Sequence, residues 1–131
     1  KSFFLHTFFL LDDRYIEAAR ENCALGGTSF DISYDIDTAY SNAEIVYAKS
    51  WGCLSFYGNT DKQIASNNQY KYFIVDEANM ILTKNAVFSH CLPLRRNVKA
   101  TDAVMDADYC LAVKEAANRK HVQKSMLSKI L

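Results

Sequence analysis

The stretch AVFSHCLP, residues 86–93, decides the fold, because it is a short apolar run that ends at the only proline of the chain. An apolar run of this length, bounded by turn residues, is typical of a buried strand. The flanking segments, residues 76–82 and 101–105, begin with the acidic and hydroxyl residues that start helices. A buried strand between two helices predicts an α/β domain.

The same alternation of strands and helices extends along most of the chain. Strands are predicted at residues 2–11, 30–34, 44–48 and 109–113, and helices at residues 12–25 and 115–131, with a short helix or turn at 35–42. Residues 49–70 are rich in glycine, serine, asparagine and lysine and are predicted to form a loop. This order predicts a doubly wound, mostly parallel sheet with helices on both faces.

The composition is that of one globular domain with balanced charge. The chain has 131 residues, of which 50% are hydrophobic, and its 15 basic residues equal its 15 acidic residues. A chain without a basic excess is not expected to bind nucleic acid or an anionic membrane surface. No apolar run is long enough to span a bilayer. We therefore expect a cytoplasmic protein with no nucleic-acid or membrane partner.

The cysteines do not indicate a metal or redox site. Cys23, Cys53, Cys91 and Cys110 are widely spaced, whereas zinc and dithiol motifs need pairs two to four residues apart. Reduced thiols and no metal are expected.

The start of the chain admits two interpretations. Lys1 and the apolar residues after it resemble a secretion signal, but Asp12, Asp13 and Arg14 follow at once without a small-residue cleavage site. A start inside an apolar segment, without methionine, favours a chain cut from a longer one.

Topology predicts where a ligand would bind. In open parallel sheets, ligands bind beyond the carboxyl ends of the strands. The segments that follow the predicted strands carry four basic residues, namely Lys49, Arg95, Arg96 and Arg119. Such groups can bind a phosphate or carboxylate by charge-assisted hydrogen bonds. We therefore expect an anion site at this edge.

His90 and Cys91 at the end of the central strand suggest a thiol nucleophile with its base. That chemistry needs the two side chains within hydrogen-bond reach. Adjacent residues of a strand point to opposite faces, so we do not expect this contact. The alternative is a buried strand-end pair without chemistry. Pro93 directly follows Leu92. A tight turn at this point, through a cis peptide bond, would expose the carbonyl of Leu92.

The basic residues also have plain structural alternatives. Arg95 and Arg96 are a doublet of the kind that is usually solvated at the surface. Arg119 lies four residues after Glu115 on a predicted helix, so the two are placed to form an ion pair. Lys99 has nothing unusual in its pattern and is predicted to be exposed.

The sequence His90-Cys91-Leu92-Pro93 resembles the signature of the carbamoyltransferases, the family of ornithine and aspartate transcarbamylases. Three further matches follow in the correct order: VYAKSWG at residues 46–52, the run 88–106, and EAANR at 115–119 followed by HVQK at 121–124. They resemble the N-acetylornithine branch, with the succinylornithine branch as a close relative. The similarity is strong from about Asp12 onward and weak before it.

The resemblance implies transfer of a carbamoyl group from carbamoyl phosphate to the side-chain amine of N-acetylornithine, a step of arginine biosynthesis. It implies no metal and no cofactor, and a homotrimer for the full-length enzyme. Cys91 and the Leu92 carbonyl would hold the carbamoyl group, and Arg119 would also contact carbamoyl phosphate. The residues that would lie near the amino-acid substrate are Lys49, His90, Arg95 and Lys99. Lys99 also matches a lysine that this branch can carry carboxylated.

The chemistry of the substrate agrees with this branch. Ornithine enzymes recognise a free α-ammonium and have an aspartate at the position of Lys49. Acetylation removes that positive charge, so the carboxylate becomes the handle for recognition and a lysine suits it better. The reaction itself needs positioning of two substrates and donors aimed at the developing charge.

The chain departs from the family pattern in two ways. Family members have an N-terminal domain whose Ser-x-Arg-Thr loop holds the phosphate, and the 131 residues contain no such loop. Ser55 stands where the branch often has proline. We expect residues 1–131 to be the C-terminal amino-acid-substrate domain, without its first strand and helix and without the carbamoyl phosphate domain. Such a chain would supply half the active site and be inactive alone.

Two other functions stay open at this point. The chain could be a non-catalytic ligand-binding or assembly module derived from the enzyme. It could also belong to a succinylornithine carbamoyltransferase, because the residue that separates the two substrates is expected outside these 131 residues.

Overall fold

The computed structural model describes residues 2–5, 12–49, 52 and 54–131. The chain divides into two compact units, one made of residues 1–41 and 51–72 and the other of residues 42–50 and 73–131. Each unit contains one pair of parallel strands. The predicted α/β class with parallel strand pairing is confirmed.

In the first unit, strand β1 (Ser2–Leu5) pairs in parallel with strand β2 (Phe30–Ser33). Helix α1 (Asp13–Leu25) connects them, as a parallel pair requires. It begins where the Asp12 side chain accepts a hydrogen bond from the Arg14 N–H, so the predicted start is confirmed. The predicted first strand extended to residue 11, and its residues 6–11 lie outside the described residues.

Two further helices of the first unit follow its strands. Helix α2 (Ile36–Tyr40) begins at Asp35, whose side chain accepts from the N–H groups of Asp37 and Thr38. Helix α3 (Thr60–Gln69) follows a single 3₁₀ turn at Leu54–Phe56. The prediction of a loop over 49–70 is therefore wrong for its second half. The α3 sequence is polar and lacks an apolar stripe, and its start depends on the Asn59 side chain accepting from the Lys62 N–H.

The second unit is built around a strand that the sequence predicted. Strand β3 (Ile45–Ala48) pairs in parallel with β4 (Val87–His90), with helix α4 (Glu77–Ile81) between them in the chain. Helix α5 (Asp102–Asp106) and the long helix α6 (Ala112–Ile130) follow. The predicted helices at 76–82 and 101–105 are confirmed, with Asp76 and Thr101 as their capping residues.

The core of the second unit surrounds β4. Phe88 is fully buried, and its N–H donates to the Tyr109 carbonyl while its carbonyl accepts from the Leu111 N–H. Cys110 thereby forms an isolated parallel bridge with Phe88. The predicted strand over 109–113 is wrong beyond this bridge, because α6 already begins at Ala112, which is itself fully buried.

Helix α6 is buried at its start and exposed along most of its length. Ala112 is its one buried residue, and every residue from Ala117 to the end of the helix is exposed. The apolar residues that predicted this helix, Val122, Met126 and Ile130, are thus on an open face. In the part of the chain that the structure describes, no helix is both long and apolar enough to cross a membrane.

Candidate functional site

The register of the β3–β4 pair brings two predicted residues together. Ala48 lies beside His90, so Lys49 and Cys91 leave the carboxyl ends of neighbouring strands. The Lys49 Nζ donates a hydrogen bond of 3.2 Å to the Cys91 Sγ. Ligand sites of parallel sheets form at such strand ends. The register thus places an ammonium and a thiol at the predicted edge.

The turn after Cys91 presents a carbonyl group to helix α6. The Leu92–Pro93 peptide bond is cis, as the sequence predicted. The Nη2 of Arg119, in the second turn of α6, donates to the Leu92 carbonyl oxygen over 3.4 Å. Arg119 remains exposed, so its guanidinium is accessible to a ligand.

Glu115 has a role that the sequence did not predict. Its spacing allowed an ion pair with Arg119, but its carboxylate instead accepts hydrogen bonds from two strand residues. The Tyr47 hydroxyl donates to Oε1 at 2.8 Å, and the Ser89 hydroxyl donates to Oε2. Both hydrogen bonds lower the pKa of Glu115, and the bond from Ser89 has the larger effect. Hydrogen bonding to Glu115 raises the pKa of Tyr47 to about 12.

His90 ends β4 on the buried side. Its side chain is 1% exposed, and neither ring nitrogen has a hydrogen-bond partner among the described residues. Burial lowers the pKa of the ring, so His90 is neutral at neutral pH. A neutral imidazole that makes no hydrogen bond to the Cys91 thiol does not form the nucleophile–base pair considered above. The expectation that the two side chains do not touch agrees with this geometry.

The prediction that Lys99 is exposed is wrong. The side chain of Lys99 is buried, because its segment turns back on itself and bonds to the chain before α4. The Lys99 N–H donates to the Arg95 carbonyl, and the Lys99 carbonyl accepts from the Val75 N–H. Burial, with a smaller effect from the charge of Arg95, lowers the pKa of Lys99 to about 8. The pattern missed this because burial here depends on residues distant in sequence.

The four basic residues predicted at this edge do not all face a ligand. Arg96 binds two carboxylates of its own unit, Asp102 at 2.9 Å and Asp106 at 3.0 Å. The hydrogen bond to Asp106 has the larger effect and the hydrogen bond to Asp102 the next; both raise the pKa of Arg96. Arg96 is therefore held by the protein, and its predicted role toward an anion is wrong. Arg95, its neighbour, is exposed.

The arrangement is suited to binding rather than to proton chemistry. It combines exposed cationic groups (Lys49, Arg119) with a thiol and a carbonyl that are fixed by a turn. Such groups can position a polar substrate and stabilise developing negative charge. Among the described residues, no group of three His, Cys, Asp or Glu side chains is placed to hold a metal ion.

A family model described as "Aspartate/ornithine carbamoyltransferase, Asp/Orn binding domain" matches residues 6–130. The chain belongs to the aspartate/ornithine carbamoyltransferase family. The predicted family is thereby confirmed, and with it membership of a family of transferase enzymes.

Known carbamoyltransferases are similar to this chain over three quarters or more of its length. The N-acetylornithine carbamoyltransferase of Xylella fastidiosa (strain Temecula1) is 59% identical over 120 residues, which are 92% of this chain and 36% of the relative. The enzyme of the same name from Xanthomonas campestris pv. campestris is 55% identical over 94% of this chain. The N-succinylornithine carbamoyltransferase of Bacteroides fragilis is 35% identical over 76% of this chain.

Solved carbamoyltransferase structures have the same fold. An acetylornithine transcarbamylase complexed with acetylcitrulline superimposes with a TM-score of 0.89 at 53% identity, covering 98% of this chain and 39% of that one. A variant of N-acetyl-L-ornithine transcarbamylase bound to carbamyl phosphate and N-succinyl-L-norvaline gives the same TM-score and 40% coverage of its length. The chain thus spans little more than a third of the carbamoyltransferases it matches, and the predicted transcarbamylase fold class is confirmed.

Proposed function

We propose that this chain forms the amino-acid-substrate side of an N-acetylornithine carbamoyltransferase active site. Residues 1–131 would act as the C-terminal substrate-binding domain, and the contacts to the phosphate of carbamoyl phosphate would come from sequence that only the longer relatives span. In this proposal the chain alone does not turn over. The enzyme would serve arginine biosynthesis in the cytoplasm, and its homotrimeric state follows from the resemblance alone.

One observation carries the proposal: Arg119 reaches the Leu92 carbonyl while Lys49 reaches Cys91 at the adjoining strand end. These four are among the seven residues that the family resemblance assigns to the carbamoyl group or to the amino acid. They come from three segments, and Lys49 and Arg119 are 70 positions apart in sequence, so their convergence requires this fold. The higher identity to N-acetylornithine enzymes than to the N-succinylornithine enzyme supports the choice of substrate.

The proposed reaction is a direct acyl transfer. The neutral side-chain amine of acetylornithine attacks the carbonyl carbon of carbamoyl phosphate, and a C–N bond forms. The C–O bond to phosphate then breaks, inorganic phosphate leaves with the bonding electrons, and the amine loses one proton to it or to solvent. Arg119, Cys91 and the Leu92 carbonyl would orient the carbamoyl group, and Lys49 would bind the substrate carboxylate.

Lys99 would act in a modified form. We propose that its amine adds CO₂ and releases one proton to give a carbamate, as the resemblance implies. Its burial and lowered pKa support this step, because only a neutral amine adds to CO₂. Carbon-13 NMR of the protein in labelled bicarbonate is expected to show one carbamate resonance that is missing from a Lys99→Met variant. Identical spectra of the two proteins would contradict the modification.

The function is tested by adding back the part that the chain does not span. We would assay the chain alone, the chain mixed with the N-terminal part of the Xylella fastidiosa relative, and a fusion in which this chain replaces the matching region of that relative. Each preparation would receive carbamoyl phosphate with acetylornithine, succinylornithine, ornithine or aspartate. The ureido product is the readout, and the intact relative is the positive control.

The expected result is acetylcitrulline from the fusion and no product from the chain alone. Turnover by the chain alone would contradict the half-site proposal. Product from succinylornithine in preference to acetylornithine would assign the chain to the succinylornithine enzymes. A fusion that binds acetylornithine by calorimetry without forming product would favour the non-catalytic binding module.

A further inference from the structure

Glu115 joins three elements at the edge of the candidate site. Tyr47 and Ser89 are register partners on β3 and β4, so their side chains project from the same face of the strand pair. Each donates a hydrogen bond to a different oxygen of the Glu115 carboxylate. One carboxylate in the first turn of α6 therefore ties that helix to both strands.

Besides Glu115, the helix start is held by the Leu111 N–H, which donates to the Phe88 carbonyl, and by the buried Ala112. The residue before the helix, Leu111, makes no side-chain capping bond, and Ala112 is the only buried residue of α6. Every residue of the helix beyond Ala116 is exposed, and Arg119 contacts the rest of the unit through its long bond to the Leu92 carbonyl. The position of the second turn of α6 thus depends strongly on Glu115.

That second turn carries Arg119. Residues four apart lie on the same face of a helix, so Arg119 follows Glu115 along the face that meets the strand ends. The Arg119–Leu92 distance of 3.4 Å is already at the long end of the hydrogen-bond range. A shift of α6 by a fraction of an ångström would therefore break this contact.

We propose that Glu115 is a positioning residue, which holds Arg119 against the Leu92 carbonyl by binding Tyr47 and Ser89. This inference deepens the proposed function and rests on it. Glu115 is poorly suited to act as a general base, because both of its oxygens accept hydrogen bonds and its lowered pKa makes the carboxylate a weak base. It acts on the reaction only through Arg119.

The kinetic test uses the fusion with the Xylella fastidiosa N-terminal part. Glu115→Ala is expected to lower kcat/KM for carbamoyl phosphate by roughly ten- to a hundredfold, as small misplacements of a binding group do. KM for acetylornithine should change little, because Lys49 is held by the strands. Glu115→Gln retains a side chain of the same length that can bond to both hydroxyls, so it is expected to keep most of the activity. The matched control is Glu44→Gln, which removes an exposed carboxylate at the opposite end of β3.

A second measurement needs no enzymatic activity. The Tyr47 phenol titrates near pH 12 when it is bound to Glu115. In the isolated chain, phenolate absorbance is expected to show one tyrosine whose titration returns toward pH 10 in Glu115→Ala and is missing in Tyr47→Phe. Circular dichroism of each variant shows that the chain is still folded.

The outcomes separate the two proposals. If Arg119→Ala abolishes activity while Glu115→Ala leaves kcat/KM unchanged, the positioning role is wrong and the proposed function stands. If Arg119→Ala has no effect, or the unmutated fusion is inactive, the proposed function is wrong. A Tyr47 titration that is the same with and without Glu115 would remove the basis of the positioning role.

Discussion

The Lys49 Nζ lies 3.2 Å from the Cys91 Sγ, so the cation proposed to bind the amino acid and the thiol proposed to orient the carbamoyl group meet at two neighbouring strand ends. If Lys49 binds the carboxylate of acetylornithine, an acidic side chain at this position should disfavour that substrate. It should instead favour ornithine, whose α-ammonium is free. We predict that Lys49→Asp lowers kcat/KM for acetylornithine by roughly ten- to a hundredfold, the value of a charge-assisted hydrogen bond. The ratio of ornithine to acetylornithine turnover should rise.

The fusion enzyme assayed with both amino acids gives this ratio directly. Lys124→Ala, which removes an exposed lysine far along α6, is the control and should leave the ratio unchanged. An unaltered preference in Lys49→Asp would place the acetylornithine carboxylate elsewhere.

Because of Lys99, the free energy of unfolding of the chain should increase as the pH rises from 8 toward 10.5. Its pKa is about 8 in the folded chain, below its ordinary value of 10.5, because the charged amine is buried. Between these values the unfolded chain holds more protons than the folded one, so stability rises with pH. Below pH 8 the buried Lys99 amine is charged, and the folded chain bears the full free-energy cost of burying that charge. Lys99→Met should therefore stabilise the chain at pH 7 by about 1–3 kcal/mol.

Urea unfolding in CO₂-free buffer checks this prediction. The difference between Lys99→Met and the unmutated chain should shrink as the pH is raised from 8 toward 10.5. Lys84→Met removes an exposed lysine and serves as the matched control. A stability difference that does not change over this window would mean that Lys99 is not buried in its charged form.

His90 provides a separate test of the buried strand end. Burial lowers the pKa of the His90 ring below the ordinary 6.5. At a pH between these two pKa values, the ring is neutral in the folded chain and protonated in the unfolded chain. The contribution of His90 to the free energy of unfolding is therefore complete above pH 6.5. It is lost as the pH falls from 6.5 through the lower pKa that the ring has in the folded chain. Nitrogen-15 NMR should show a neutral ring at pH 6.5, assigned by its absence in His90→Gln. A half-protonated ring at that pH would contradict the burial.

Local signals explain why much of the fold was predictable. Asp12, Asp76 and Thr101 each start a helix through a hydrogen bond between the side chain and a backbone N–H two or three residues away. Such capping depends only on neighbouring residues, so it is readable from sequence. Helix α3 has the same kind of start at Asn59, but its polar sequence has no apolar face, so the pattern predicts a loop there.

The candidate site was predictable in part from topology and in part from a motif. Topology alone predicted Lys49 and Arg119 at this edge, whereas the roles of Cys91 and Leu92 came from the family resemblance, and the convergence of the two strand ends depends on the parallel register of β3 and β4. The role of Glu115 was missed because its partners are 68 and 26 positions away in sequence. Arg96 was misassigned because a charge pattern does not show that Asp102 and Asp106 occupy it.

The segment that carries Arg95 and Lys99 is shaped by Asn97. Asn97 has a φ of 58°, in the left-handed region. Its side chain donates to the Asp102 carboxylate at 2.7 Å and accepts from the Asp102 N–H at 3.0 Å, which ties the turn to the start of α5. We predict that Asn97→Gly loses these bonds but keeps the backbone freedom, and destabilises the chain by about 1 kcal/mol. Asn97→Ala should cost about 1 kcal/mol more, because alanine tolerates this φ poorly. Urea unfolding of the two variants at pH 7 measures both values, and equal losses would show that the side-chain bonds alone determine the turn.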